Sequence, residues 1–145
     1  MLLDILSFFT NPSEAGFFLK IICTLFLAIL FIQSGFNKVF RWDENSAWLI
    51  DHFKGSYLEK LVTVLLVIVT IFEVAAGVFS AIGFVTLLLT GDIKFAYIGS
   101  VLATINITML FFGQRVVKDY VGAANLVAYF ILCVIATYIL GGLAQ

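Results

Sequence analysis

Charge is what this chain has least of: eight basic and nine acidic residues in 145, or 12%, where an ordinary soluble domain carries roughly 25%. That scarcity excludes a disordered chain and a soluble enzyme. The net charge of -1 leaves no basic surplus to neutralise phosphates, so nucleic acid is excluded as a partner. Histidine occurs once, at His52. Bis-histidine haem ligation needs two, so the chain is not a cytochrome b by itself. The two cysteines, Cys23 and Cys133, lie far apart inside apolar runs and form no C-x-x-C pair. They read as buried structural thiols, with neither a redox motif nor a zinc site indicated. No intrinsic cofactor and no metal site is expected.

What the chain has in abundance is hydrophobic side chains, 63% of the total. A helix needs about 20 mostly apolar residues to cross a bilayer, and four runs supply them: 17–39, 61–89, 95–113 and 120–143. Two of the three connections are too short to hold a domain. An all-α membrane protein follows, a four-helix transmembrane bundle forming a single integral membrane domain over 1–145.

Local signals agree with those boundaries. Asn11-Pro12-Ser13-Glu14 combines a capping side chain, a first-turn proline and a glutamate three residues on, which together start a helix. Before it, Met1 to Thr10 sets Leu2, Leu3, Ile5, Leu6, Phe8 and Phe9 against Asp4 and Ser7. This amphipathic segment lacks the basic start and cleavage site of a signal peptide, so an interfacial helix retained in the mature protein is expected. Between the first two spans, Asp43-Glu44-Asn45-Ser46 reads as a cap for a short helix through Phe53. Trp42, Trp48 and Tyr57 suit a helix lying in the headgroup layer. Lys38, Arg41, Lys54, Lys60, Arg115 and Lys118 fall on one side of the bundle, with Lys20 and Lys94 on the other. The positive-inside rule makes the first side cytoplasmic and turns both termini outward.

Glu73 is the most informative residue, because an unpaired carboxylate inside an apolar run costs several kcal/mol or more. At about 1.5 Å per residue from the cytoplasmic ends of the runs, Glu73 lies about 18 Å deep, Asn106 about 12 Å, Gln33 about 10 Å and Asn125 about 9 Å. Each span thus offers one polar group to the same half of the bilayer. Helical spacing places Gln33 with Asn37; Glu73 with Gly77, Ser80 and Phe84; Asn106 with Gly99, Ala103 and Gly113; and Asn125 with Gly122 and Tyr129. These four stripes are expected to meet in the bundle interior, where amides shelter the acid. One outcome is a hydrogen-bonded plug in which Glu73 keeps its proton. The other is a binding pocket, since a carboxyl group offers proton uptake or a hydrogen bond to a quinone-like headgroup, which an amide cannot.

Lys38, Arg41, Arg115 and Lys118, with Gln114, mark the cytoplasmic mouth. Snorkelling to the headgroups is the simpler reading of the basic residues. The sharper one makes Lys38 a partner of Glu73 or of an anionic ligand. Its reach of roughly 6 Å falls short of the depth gap unless the bundle opens a polar cavity.

Phe31-Ile32-Gln33-Ser34-Gly35-Phe36-Asn37-Lys38 resembles the Gly-x-x-Lys helix end of the DoxX family of small four-helix membrane proteins. Phe72-Glu73-Val74-Ala75-Ala76-Gly77, followed by Ile82-Gly83-Phe84, is similar to that family's glutamate-bearing second helix. The resemblance extends over nearly the whole chain in helix number and spacing. It matches the family pattern at Gly35, Lys38 and Glu73. It implies a bacterial inner-membrane protein whose relatives include a subunit associated with thiosulfate:quinone oxidoreductase. Where many relatives carry a histidine in the third helix, this chain offers Gln114 and Asn106.

Two functions compete at this stage, ahead of a small-solute transporter, for which four helices with one acidic residue give little pore or alternating-access machinery unless the chain oligomerises. In the first, the protein is a quinone- or redox-associated subunit, its pocket taking a quinone or a lipid while the redox centre belongs to a partner. In the second it is a non-enzymatic subunit or assembly factor packing against another membrane protein, or against copies of itself. Either way, a subunit or accessory protein is expected in preference to a self-sufficient enzyme.

Overall fold

The computed structural model describes residues 2–142, apart from the side chains of Leu2, Asp4 and Ile5. Met1 and the last residue of the expected fourth span, Leu143, lie outside the described residues. Within them every regular element is a helix. The elements are α1 (Leu2–Thr10), α2 (Ala15–Phe40), α3 (Trp42–His52), α4 (Val62–Thr90), α5 (Lys94–Val116) and α6 (Tyr120–Leu140). Among the described residues, four stretches, Pro12–Phe40, Glu59–Thr90, Lys94–Val116 and Tyr120–Leu140, are each long and apolar enough to cross a membrane. Even their most apolar windows are at most 33% buried in the bundle, which leaves the remaining surface of this multi-pass membrane protein for the bilayer and whatever is embedded in it.

Asn11 starts the first span as expected, its side chain accepting from the Ser13 N–H at 3.2 Å over a 3-10 turn at Pro12–Glu14. The second expected cap is different. α3 begins at Trp42, one residue after α2 ends, and no side chain caps it. Asn45 instead folds back, its Nδ2 donating to the Arg41 carbonyl at 2.9 Å. Asp43 and Glu44 fall in the first turn, where the helix dipole favours acids. No residue of α3 is buried and Tyr57 is fully exposed, which suits a helix lying along the bundle's end.

α4 is the central helix, packed against α2 on one side and α5 on the other; α6 leans on α5 and touches α2 lightly. Small residues bring these backbones together and fix their registers. A Cβ added to Gly77 would lie 2.7 Å from the Ile32 nitrogen, and one on Gly35 3.0 Å from the Val74 side chain. Likewise Gly83 abuts Ala96, and Gly99 abuts Ser80. The antiparallel registers therefore set Gln33 near the level of Ala76, and Asn106 level with Glu73. Leu27, Phe31, Ala76, Ala103, Cys133 and Ala136 form the core between them.

Candidate functional site

Glu73 lies on the inward stripe of α4 with Leu66, Thr70, Ala76, Ser80, Gly83 and Leu87, all buried. It is only 2% exposed, so the carboxyl group faces the interior. Its partner is Lys38. Because Gly35 lets α2 approach α4, Ser34 and Lys38, one turn apart, both reach the acid. The Lys38 Nζ donates to Glu73 Oε1 at 3.1 Å and stands 2.8 Å from Oε2, and Ser34 Oγ donates to Oε1 at 3.1 Å. Oε2 makes that ion-pair contact without a well-aligned hydrogen bond of its own. A second hydrogen bond from Nζ reaches Ser34 Oγ at 3.3 Å.

The ion pair takes the place of the snorkelling lysine, and with Gln33 and Asn125 exposed the plug of amides around Glu73 does not form. The ion pair also corrects the depth estimate. Gln114 is level with Leu65 in the α4–α5 register, and His52 at the end of α3 meets Gln114 at 3.2 Å. The first turn of α4 therefore lies beside the interfacial helix, leaving Glu73 about 12 Å from that level and not about 18 Å. α2 ends near the level of Val69, which brings Lys38 within reach.

The amides divide. Asn106 is fully buried at the level of Glu73, and neither of its amide atoms has a hydrogen-bond partner among the described residues. Gln33, Asn37 and Asn125 are exposed on the outside of the bundle, contrary to the expected convergence. The reason is helical phase. Each stands two residues, about 200° of rotation, from an inward small or core residue: Gln33 from Phe31, Asn37 from Gly35, Asn125 from Ala123. At the mouth, Arg41, Arg115 and Lys118 are exposed, with Arg115 over the Tyr120 ring at 4.6 Å. Gln114 is half-buried and turned inward.

Above the ion pair, toward α3, α4 and α5 flank a half-open cavity of about 480 Å³. Leu49 and Phe53 close one side, and Val62, Leu65, Leu66, Val69 and Phe112 supply apolar walls. The polar side chains on its lining are Lys38, Thr108 and Gln114. Lys38 is thus the face of the ion pair that the cavity sees, with Glu73 behind it. Among the described residues, no three His, Cys, Asp or Glu side chains are placed to hold a metal ion.

Two contributors escaped the sequence reading. Ser34 was signalled by its i,i+4 spacing to Lys38. His52 entered only as a missing haem ligand, yet its ring stacks on Trp48 and its Nε2 stands 3.2 Å from Gln114 Oε1 and 3.3 Å from Asp119 Oδ2. Only the Trp48 spacing was visible locally; the other two contacts cross the fold.

No curated protein and no solved structure matches the chain. The DoxX family model matches residues 21–112, a stretch that runs from the core-facing turns of α2 through the ion pair and nearly the whole of α5. With Gly35, Lys38 and Glu73 brought together in that stretch, the chain belongs to the DoxX family.

Proposed function

We propose that this protein is a quinone- or redox-associated subunit of the bacterial inner membrane, with the α3 end cytoplasmic and the redox centre on a partner membrane protein. The observation that carries this reading is a lysine–glutamate ion pair at the inner end of an apolar cavity of about 480 Å³. That volume is within the range of small-molecule sites, about 300–1,000 Å³. Apolar walls with one cationic donor suit a lipid-soluble ligand bearing a carbonyl headgroup. DoxX membership supports the same reading, since the resemblance extends to relatives associated with quinone reduction. A quinone, when bound, supplies a bilayer-soluble carrier of electrons and protons.

The chain's own residues would bind and orient it. The 3.3 Å bond from Lys38 Nζ to Ser34 Oγ is the longest at the ammonium, and a ligand oxygen would replace that bond first. Glu73 holds the ammonium in place, with Oε2 at 2.8 Å and Oε1 at 3.1 Å. Phe53 and Leu49 exclude water on the α3 side.

The test is titration of the protein in lipid nanodiscs with short-tailed ubiquinone and menaquinone analogues, followed by tryptophan fluorescence. Saturable quenching is expected, weakened about tenfold or more by Lys38→Gln through loss of a charge-assisted bond. Val62→Phe, which narrows the cavity three turns away from Glu73, should weaken it similarly. Unchanged affinity in both variants would overturn the site.

A further inference from the structure

Gln33 poses a problem that the ligand site does not solve. It is exposed on α2, and its amide makes no hydrogen bond to any described residue. It is also deep. In the α4–α5 register Lys94 is level with Val85 and Gln114 with Leu65, a separation of about 30 Å, which matches the hydrocarbon thickness. Gln33, near the level of Ala76, falls at the middle. Asn125 differs, lying only about 7 Å from the start of α6, within reach of the headgroups.

The face around Gln33 has a regular pattern. Leu19, Ile22, Phe26, Ile29, Gln33, Phe36 and Phe40 alternate spacings of three and four residues along α2, and every one is exposed. That is an uninterrupted heptad seam with one polar member. A heptad seam packs against a like helix at a shallow left-handed crossing, and one buried amide in it fixes register and partner. An amide carries both donor and acceptor, so it is complementary to itself. A two-fold axis along the bilayer normal brings the same residue of two copies to the same depth.

We infer that the outward face of α2 is the contact with a second copy of this chain, in which the Gln33 amides of the two copies hydrogen-bond at the bilayer centre. The contact is independent of the cavity and of any ligand in it.

Oxidative cross-linking of single cysteines in native membranes tests it. Cys23 and Cys133 are both buried, so the unsubstituted chain should give no linked product. Ile29→Cys and Phe36→Cys, which leave Gln33 in place, should each give a species of twice the 16.0 kDa chain mass. Ile71→Cys and Val85→Cys, exposed on α4, should give little. Gln33→Leu should weaken self-association in lipid by about tenfold while Gln33→Asn retains most of it. Equal linking from the α4 positions, linking of the α2 positions to a different protein, or undiminished association of Gln33→Leu would each overturn the inference.

Discussion

Toward the end of the bundle that holds the α4–α5 turn, the backbones of α4 and α5 touch, Gly83 on Ala96 and Gly99 on Ser80. Toward the α3 end the same two helices stand apart around the cavity, with the Phe53 ring wedged beside Gly113. Lipid tails are as apolar as the core, so burial drives helices together only weakly in a bilayer and close packing must hold them. The tight half therefore supplies cohesion. The open half holds the Lys38–Glu73 pair and the space before it. A site of this kind needs a rigid half to hold α4 and α5 in register while the other half stays open.

Removing one member of the ion pair should cause the largest loss. Lys38→Met leaves Glu73 buried without its cation, and breaking such a pair from one side costs about 3–5 kcal/mol. Thermal unfolding in mild detergent should show it. Replacing both members, Lys38→Met with Glu73→Leu, should restore most of the loss, because an apolar pair removes both the charge and its desolvation. A double variant as unstable as the single one would show that the site is more than a charge-matched contact.

Next in size is overpacking of the tight half. Gly83→Val drives a side chain into the Ala96 backbone and should cost up to about 3 kcal/mol. Gly113→Ala tests the open half, since its Cβ would meet only the movable edge of the Phe53 ring at 3.3 Å. It should cost under about 1 kcal/mol. Similar melting shifts for the two would erase the distinction between the halves.

The same contrast explains what could be read in the sequence. Four spans, their limits to within a few residues and the inward stripes of α4 and α5 were legible, because these helices have neighbours on two sides and their small and polar residues share one face. α2 and α6 have wide lipid-facing sides, so polar spacing alone could not say whether Gln33 or Asn125 pointed in or out. Phase against Phe31, Gly35 and Ala123 settles it, and that phase requires knowing which small residues meet a neighbour. The Lys38–Glu73 contact was obscured for a different reason. Depth was counted from the ends of apolar runs, while α4 begins beside α3 and α2 stops short of it, an offset that only tertiary packing sets.

The smallest expected effect concerns how α3 closes the open half. His52 and Asp119 are 25% and 28% exposed, so their contact is worth at most about 1 kcal/mol. Asp119 has a second task, accepting from the Gly122 N–H at 2.9 Å as the cap of α6. Asp119→Ala should therefore cost more than His52→Ala, by about 1 kcal/mol for the lost cap. Global stability is a poor gauge of so small a term, but local opening is sensitive to it. Amide hydrogen exchange in His52→Ala should quicken across α3 while α4 and α5 near Gly83 and Gly99 stay unchanged. Unaltered exchange in α3 would mean that Leu49 and Phe53, through their apolar contact with the cavity wall, hold the helix in place without the imidazole.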